Sequence, residues 1–230
     1  MVLGSKTPIN VFFFGDSICF GQGISIHLGW VARMSARLHT LSEVYGHSIT
    51  VTNASINGNT TRQALERMAY DVLSHGVDFM ILQFGLNDCN YWVTDKGVPR
   101  VTPKAFEANL EEILQRATTF GARRIIMNTN HPTGRNKEIM KFTSITYDQS
   151  NHHYNEIIRK VASEHKKSVI LNDIEKLFLE HIGREPSKLA DLLLPDQIHP
   201  SIAGHDLYFQ SISPILEKIF DEQLRTKELV

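Results

Sequence analysis

Cysteine and net charge are both scarce in this sequence. Its 230 residues include two cysteines, and 24 basic residues nearly balance 25 acidic ones. Cys19 and Cys89 are too few for a disulfide framework, and a zinc site usually takes three or four protein ligands. The charges are interspersed, which argues against the single-sign surface of a nucleic-acid-binding protein. We therefore predict no metal site and no nucleic-acid partner.

Long apolar runs and linkers are also missing. No apolar run approaches the ~20 residues that span a bilayer, so we predict no integral membrane association. The first residues lack the charged start and long apolar segment of a secretory signal, which leads us to expect a cytoplasmic protein. No Pro-, Gly- or Ser-rich linker and no repeat divides the chain. We predict a single domain over residues 1–230; the sequence leaves its oligomeric state open.

What the sequence does contain is a regular alternation of short apolar runs and helical patterns. Such alternation is typical of an α/β fold with a parallel sheet. The runs are nearly continuous in apolar residues, as expected of parallel strands that are buried on both faces. The predicted strands are at residues 11–14, 49–52, 77–84, 124–128 and 169–171.

The helices can be placed from their capping residues. One is predicted over about residues 27–43, a second after a cap at Thr60 or Thr61, and a third from Pro103. The last helix begins after Pro200, and Pro214 is expected to kink or interrupt it.

Polar residues follow several strands at the points where they end, and the carboxyl ends of parallel strands share one ligand-binding edge of the sheet. After the first strand come Gly15, Asp16 and Ser17. A serine hydroxyl at this edge is well placed to act as a nucleophile. A serine after a glycine is equally ordinary in a turn, so the residue alone leaves both interpretations open.

A second pair of candidate residues lies near the C-terminus. His199 follows Asp196 by three residues, in a predicted loop before the last helix. A carboxylate in that position can orient the imidazole, which leaves the other ring nitrogen for a nucleophile. Alternatively, Asp196 is a turn or cap residue and His199 an ordinary loop histidine.

Four segments taken together resemble the conserved blocks of the SGNH (GDSL-type) superfamily of esterases and lipases, in the same order and across nearly the whole chain. The first contains Gly15, Asp16 and Ser17, and the second is residues 53–60. The third is residues 85–88, and the last is residues 196–200. The resemblance implies a three-layer α/β/α sandwich with a five-stranded parallel sheet, which is a flavodoxin-like arrangement.

The resemblance also implies a role for each motif residue. Ser17 would be the nucleophile, His199 the general base and Asp196 the residue that orients it. The oxyanion hole would comprise the backbone N–H groups of Ser17 and Gly58 and the side-chain amide of Asn87. No metal or organic cofactor is required for this chemistry.

Aromatic and histidine side chains in the loops after the third and fourth strands are candidates for a substrate pocket, since pockets are commonly lined by such residues. Packing of the loop itself explains them equally well. The loop at residues 130–146 is long enough to form a partial lid. The candidate pocket residues are Tyr91, Trp92, His131 and Phe142.

We predict from these observations a serine-dependent carboxylic ester hydrolase that acts through an acyl-enzyme on a small-molecule ester. A short-acyl substrate is favoured, such as an O-acetylated sugar or small metabolite. Alternatives within the same site are an acyltransferase, a lysophospholipase or a thioesterase. A non-catalytic binding module is disfavoured, because the chain has no phosphate-binding loop and such a module would need neither Asn87 nor the Asp196–His199 pair.

Overall fold

A computed structural model of the protein describes residues 8–185 and 187–224. Five parallel strands form one sheet in the order β2-β1-β3-β4-β5. The strands are β1 (Ile9–Gly15), β2 (Ile49–Asn53), β3 (Phe79–Gln83), β4 (Arg124–Asn128) and β5 (Val169–Asn172). The predicted α/β class and the five predicted strands are confirmed, and β4 has the predicted bounds.

Eight α-helices of the described residues surround this sheet and make a three-layer α/β/α sandwich. Helix α8 contacts α2, α6 and α7, whereas α3, α4 and α5 pack side by side. The helices are α1 (Ser17–Phe20), α2 (Trp30–Tyr45), α3 (Thr61–Asp71), α4 (Pro103–Thr119), α5 (Tyr147–Glu164), α6 (Ile174–Ile182), α7 (Lys188–Leu192) and α8 (Ile202–Leu224).

The aromatic run of β1 explains why both faces of the sheet are covered. Side chains alternate across a strand, so Phe13 and Phe14 project to opposite layers. The Phe13 ring lies 5.4 Å from that of Trp30 in α2, and the Phe14 ring lies 4.6 Å from the guanidinium of Arg67 in α3. Both phenylalanines are fully buried. A strand that is apolar on both faces therefore occupies the interior of the sheet.

Most predicted helix starts agree with the structure. Thr102 caps α4 and is followed by Pro103 at the first helical position. Thr60 caps α3, and its N–H donates to the Gln63 side chain. The helix predicted from about residue 27 instead begins as a 3₁₀ turn, Ile26–Leu28, before α2 starts at Trp30. Gly29 separates the two.

Of the two effects predicted for Pro214, a kink or an interruption of the last helix, the interruption does not occur. Helix α8 is continuous through this residue, although an interior proline costs a helix about 3 kcal/mol or more. Ile212 and Leu216, on either side of it, are fully buried. Burial of both halves of the helix outweighs the lost hydrogen bond. None of the described helices is long and apolar enough to cross a membrane.

Candidate active site

Ser17 is held at the carboxyl end of β1, an interior strand of the sheet. Strand β1 ends at Gly15, where a Cβ atom would lie only 2.7 Å from Cys19 Sγ and 2.8 Å from the Gln83 carbonyl oxygen. Only glycine fits this close approach. Asp16 then caps α1 by accepting a hydrogen bond from the Ile18 N–H. Ser17 becomes the first residue of that helix, where N–H groups have no intrahelical acceptor.

His199 joins Ser17 to Asp196. Its Nε2 lies 2.9 Å from Ser17 Oγ, and its Nδ1 lies 2.6 Å from Asp196 Oδ2. The structure thus brings together three residues that are up to 182 positions apart in the sequence. These contacts are the ones that a serine nucleophile, a general base and an orienting carboxylate require.

The loop that carries the histidine is fixed by its own carboxylate. Asp196 Oδ1 accepts hydrogen bonds from the backbone N–H groups of Ile198 and His199, at 2.9 and 3.0 Å. Burial alone would raise the pKa of Asp196, but the bonds from His199 and from these N–H groups outweigh it and lower the pKa. Asp196 therefore stays ionised beside the imidazole at neutral pH.

His131 supports this loop from inside the protein and has no exposed face that could line an open pocket. It is fully buried; its Nε2 lies 2.7 Å from the Ile198 carbonyl oxygen and its Nδ1 lies 2.8 Å from the Tyr208 hydroxyl. Burial lowers the pKa of His131 to about 4, so the ring is neutral. The geometry fits an Nε2–H donor to Ile198 and an Nδ1 acceptor from Tyr208.

The two other predicted oxyanion-hole residues lie in loops after β2 and β3. Gly58 has a φ of +76°, a conformation that glycine adopts without strain. The Asn87 side chain donates through Nδ2 to Asp16 Oδ2 at 3.2 Å. An amide NH₂ carries two hydrogens, so the second one remains for another acceptor.

Two buried carboxyl groups lie beneath these loops. Burial, together with the nearby charge of Asp88, raises the pKa of Asp16 to about 7. Burial also raises the pKa of Asp88 to about 6, although hydrogen bonds from Thr61 and the charge of Arg100 oppose the shift. Asp88 accepts from both the backbone N–H and the hydroxyl of Thr61, which ties the Asn87 loop to the start of α3.

Arg67 joins the first two loops of the site, and sequence reasoning missed it. Its guanidinium donates to the carbonyl oxygens of Gly15 and Ala54 and to the Asn59 side chain. Asp71, one turn later, accepts at 2.8 Å. No motif marks this arginine, because two of its four partners are backbone carbonyl groups, whose position depends on the fold.

The remaining predicted pocket residues have exposed surface. Trp92 and Phe142 are 51% and 68% exposed, and Tyr91 is partly buried. A cavity of about 690 Å³ lies beside the Asp196–His199 loop and is lined by other residues. These are Gly134, Asn136, Lys137, Leu189, Ala190, Leu193, Leu194, Pro195 and Gln197.

The described residues contain no cluster of three or more histidine, cysteine, aspartate or glutamate side chains that could hold a metal ion. Cys19 and Cys89 are both free thiols and both buried. Burial raises the pKa of each thiol. The two cysteines are therefore inert packing residues in this structure.

A serine–histidine–aspartate relay at the carboxyl edge of a doubly wound parallel sheet is the arrangement of a serine-dependent hydrolase. The chain belongs to the GDSL-like lipase/acylhydrolase family, whose model matches residues 13–207. The resemblance to the SGNH superfamily is thereby confirmed, and the protein is a carboxylic ester hydrolase.

Two curated relatives and one solved structure illustrate this kinship. The chain is 26% identical over 196 residues to an arylesterase of Vibrio mimicus, covering 85% of this chain and 82% of the relative. It is 27% identical over 217 residues to an acetylxylan esterase of Geobacillus stearothermophilus, covering 89% and 91%. A crystal structure of an acetylxylan esterase from the same organism superposes with a TM-score of 0.72 at 22% identity, covering 91% and 94%. At that identity the structural match shows the shared fold.

Proposed function

We propose that this protein hydrolyses short-acyl carboxylic esters, such as those of an O-acetylated sugar or small metabolite, through an acyl-enzyme on Ser17. The observation that carries the proposal is the pair of contacts made by His199, at 2.9 Å to Ser17 Oγ and 2.6 Å to Asp196 Oδ2. The acetylxylan esterase among its relatives supports a small acyl group.

In the first half-reaction, Ser17 Oγ bonds to the ester carbonyl carbon while its proton passes to His199 Nε2. Asp196 keeps the Nδ1–H of the imidazole directed at itself, so that Nε2 is free to accept. The tetrahedral intermediate then collapses as His199 returns the proton to the departing alcohol. Water attacks the acyl-enzyme in the same way, and the acid and free Ser17 result.

The negative charge on the carbonyl oxygen needs donors that are already in place. We assign this task to the backbone N–H groups of Ser17 and Gly58 and to the second Nδ2–H of Asn87. Each comes from a different loop at the carboxyl edge of the sheet. Because Asn87 is uncharged, it stabilises the oxyanion without the repulsion that a carboxylate would introduce.

The test is hydrolysis of p-nitrophenyl esters from acetate to longer chains by the wild type and Ser17→Ala, with Ser163→Ala as the control. Ser163 is exposed on α5 and donates to the Lys160 carbonyl. We expect highest activity on the shortest esters, none above background in Ser17→Ala and unchanged activity in Ser163→Ala. Equal rates in wild type and Ser17→Ala would exclude Ser17 as the nucleophile. A preference for esters with long acyl chains would exclude the short-acyl assignment.

Product analysis with an acetylated xylo-oligosaccharide separates hydrolysis from acyl transfer. Release of acetate at the rate of substrate loss supports the hydrolase. Formation of a new ester with an added alcohol, faster than free acid appears, would show a transferase instead.

A further inference from the structure

Arg100 contacts the two loops that carry the oxyanion-hole residues Gly58 and Asn87. Its Nη1 donates to the Gly58 carbonyl oxygen at 3.2 Å and to Asn87 Oδ1 at 3.3 Å. Gly58 and Asn87 belong to different segments of the chain, since Gly58 follows β2 and Asn87 follows β3. A single guanidinium nitrogen therefore binds two groups of the site. One is the carbonyl oxygen of Gly58, and the other is the side-chain amide oxygen of Asn87.

The arginine is itself held in place. Its guanidinium carbon lies 3.9 Å from the centre of the Trp92 ring, within the range of a cation–π contact. Its backbone N–H donates to the Asn90 carbonyl at 2.9 Å, and the next N–H, of Val101, donates to the Asp88 carbonyl at 3.2 Å. The segment is thus fastened to the Asn87 loop by backbone bonds, and Trp92 restricts the guanidinium.

The contacts decide which way the Asn87 amide points. A guanidinium has donors only, so the atom that faces Arg100 has to be the amide oxygen. Nδ2 is then directed to the other side, where one hydrogen meets Asp16 Oδ2 and the second is left for the substrate oxyanion. A reversed amide would place NH₂ against the guanidinium.

Asp16 cannot fix this orientation at all pH values. Burial raises its pKa to about 7, so the carboxyl is protonated in slightly acidic solution and can then donate as well as accept. Burial has the opposite effect on Arg100 and lowers its pKa, but arginine remains charged in proteins. The constant donor at Asn87 is therefore Arg100.

We infer that Arg100 is a positioning residue for the oxyanion hole, which fixes the Asn87 amide and the Gly58 peptide for the reaction given under Proposed function, on which this inference rests. It does so through Asn87 and Gly58, and its removal lowers the rate of the chemical step. Substrate affinity for a small neutral ester depends on it little.

The experiment measures kcat and KM for p-nitrophenyl acetate in Arg100→Met, Asn87→Ala and the double variant, with Arg33→Met as the matched control. Arg33, on α2, likewise lies against an aromatic ring, with its guanidinium carbon 4.5 Å from the centre of the Phe209 ring, but it pairs with Asp206 of α8 and not with the oxyanion-hole loops. Loss of an oxyanion donor costs about 100- to 1,000-fold in kcat. We expect Arg100→Met to lose ~10- to 100-fold in kcat with KM changed less than about threefold.

The double variant distinguishes positioning from a general structural role. Once Asn87 has become alanine, there is no amide to orient, so Arg100→Met should then cost only a few-fold, through Gly58. An equal factor in both backgrounds would overturn the inference, since independent effects multiply. A wild-type rate in Arg100→Met would overturn it too, and would also be the result if Arg100 served only to bind anionic substrates.

Arg100→Lys provides a second variant if Arg100→Met does not fold. A lysine ammonium is a point charge without the planar fork of arginine, so it can reach one of the two carbonyl oxygens and should recover part of kcat. The parallel Ser17→Ala assay keeps the two proposals apart. If Ser17→Ala is inactive and Arg100→Met is fully active, the inference fails and the proposed function stands.

Discussion

The two oxygens of the Asp196 carboxylate have separate partners: Oδ2 binds His199 Nδ1 at 2.6 Å, while Oδ1 binds the backbone N–H groups of Ile198 and His199. Asp196 orients the imidazole of His199, and the backbone of the same loop holds Asp196 in place. Backbone and side chain of His199 are both attached to one carboxylate, so the ring has little freedom to turn away from Ser17.

Asp196→Asn should abolish most activity while the fold is retained. An asparagine oxygen can still accept from the backbone, but its NH₂ would then face Nδ1 and favour the wrong imidazole tautomer. We expect kcat to fall about 10⁴-fold, measured with p-nitrophenyl acetate at pH 7 to 8. Asp191→Asn, at an exposed residue of α7, is the control and should keep the wild-type rate. Comparable losses in both variants would contradict the role of Asp196.

Gly58→Ala should reduce activity beyond its effect on stability. Gly58 has a φ of +76°, and no described atom lies within 4 Å of a Cβ placed there, so the cost is backbone strain of about 1–2 kcal/mol. Gly46→Ala is a matched control, with a φ of +61° and equally open surroundings at the end of α2. Urea unfolding should show similar losses in the two variants, but only Gly58→Ala should lower kcat. Alanine keeps the backbone N–H, so the fall in kcat would come from the strained backbone moving this donor, and equal kcat values in the two variants would contradict the prediction.

Asp16→Asn should become more stable relative to wild type as pH rises. Burial and the charge of Asp88 raise the folded-state pKa of Asp16 from 3.8 to about 7, so the folded protein binds more protons than the unfolded chain between these values. Ionisation therefore destabilises wild type progressively from about pH 4 to pH 7. Asparagine does not ionise and retains an oxygen for the Ile18 N–H.

The measurement is the free energy of unfolding of both proteins in urea at several pH values from 4 to 8. One pKa unit corresponds to about 1.4 kcal/mol, and the expected gain of Asp16→Asn over this window amounts to a few kcal/mol at most. A difference that is constant with pH would show that Asp16 ionises freely in the folded protein.

Tyr208→Phe should destabilise the protein and loosen the loop before His199. It removes the hydroxyl that binds His131 Nδ1 at 2.8 Å and leaves a buried nitrogen without a partner, at a cost of about 1–3 kcal/mol. Urea unfolding measures this loss. Tyr70→Phe is the control, because Tyr70 is 79% exposed and its variant should lie within about 0.5 kcal/mol of wild type. Equal stability of the two variants would mean that the His131–Tyr208 bond contributes nothing.

Much of the fold and the reacting residues could be predicted from the sequence, because the signals for them are local. Buried parallel strands are continuous apolar runs, and helix starts such as Thr102 and Pro103 have their own chemistry. Ser17, Asn87 and His199 each lie in a short motif after a strand or before a helix. The parallel sheet places the residues that follow its strands at one edge, and the resemblance to the SGNH superfamily implied that His199 joins them there.

The supporting residues could not be predicted in this way. Arg67 and Arg100 each bond in part to backbone carbonyl groups, which every residue possesses and no motif records. His131 was expected in a pocket because histidine and aromatic side chains often line pockets, but the Ile198 carbonyl and the Tyr208 hydroxyl bind both of its nitrogens in the interior. Pro214 locally disfavours a helix, but the burial of the residues on either side of it keeps α8 continuous.

The bond between Ser17 and His199 also has a consequence for how the protein is made. Ser17 lies at the end of the first strand, whereas His199 lies just before the last helix, and 182 positions separate them. A ribosome therefore makes the serine 182 residues before it makes the histidine. Until His199 has been made and has folded against Ser17, the nascent chain carries this serine without the histidine that contacts it.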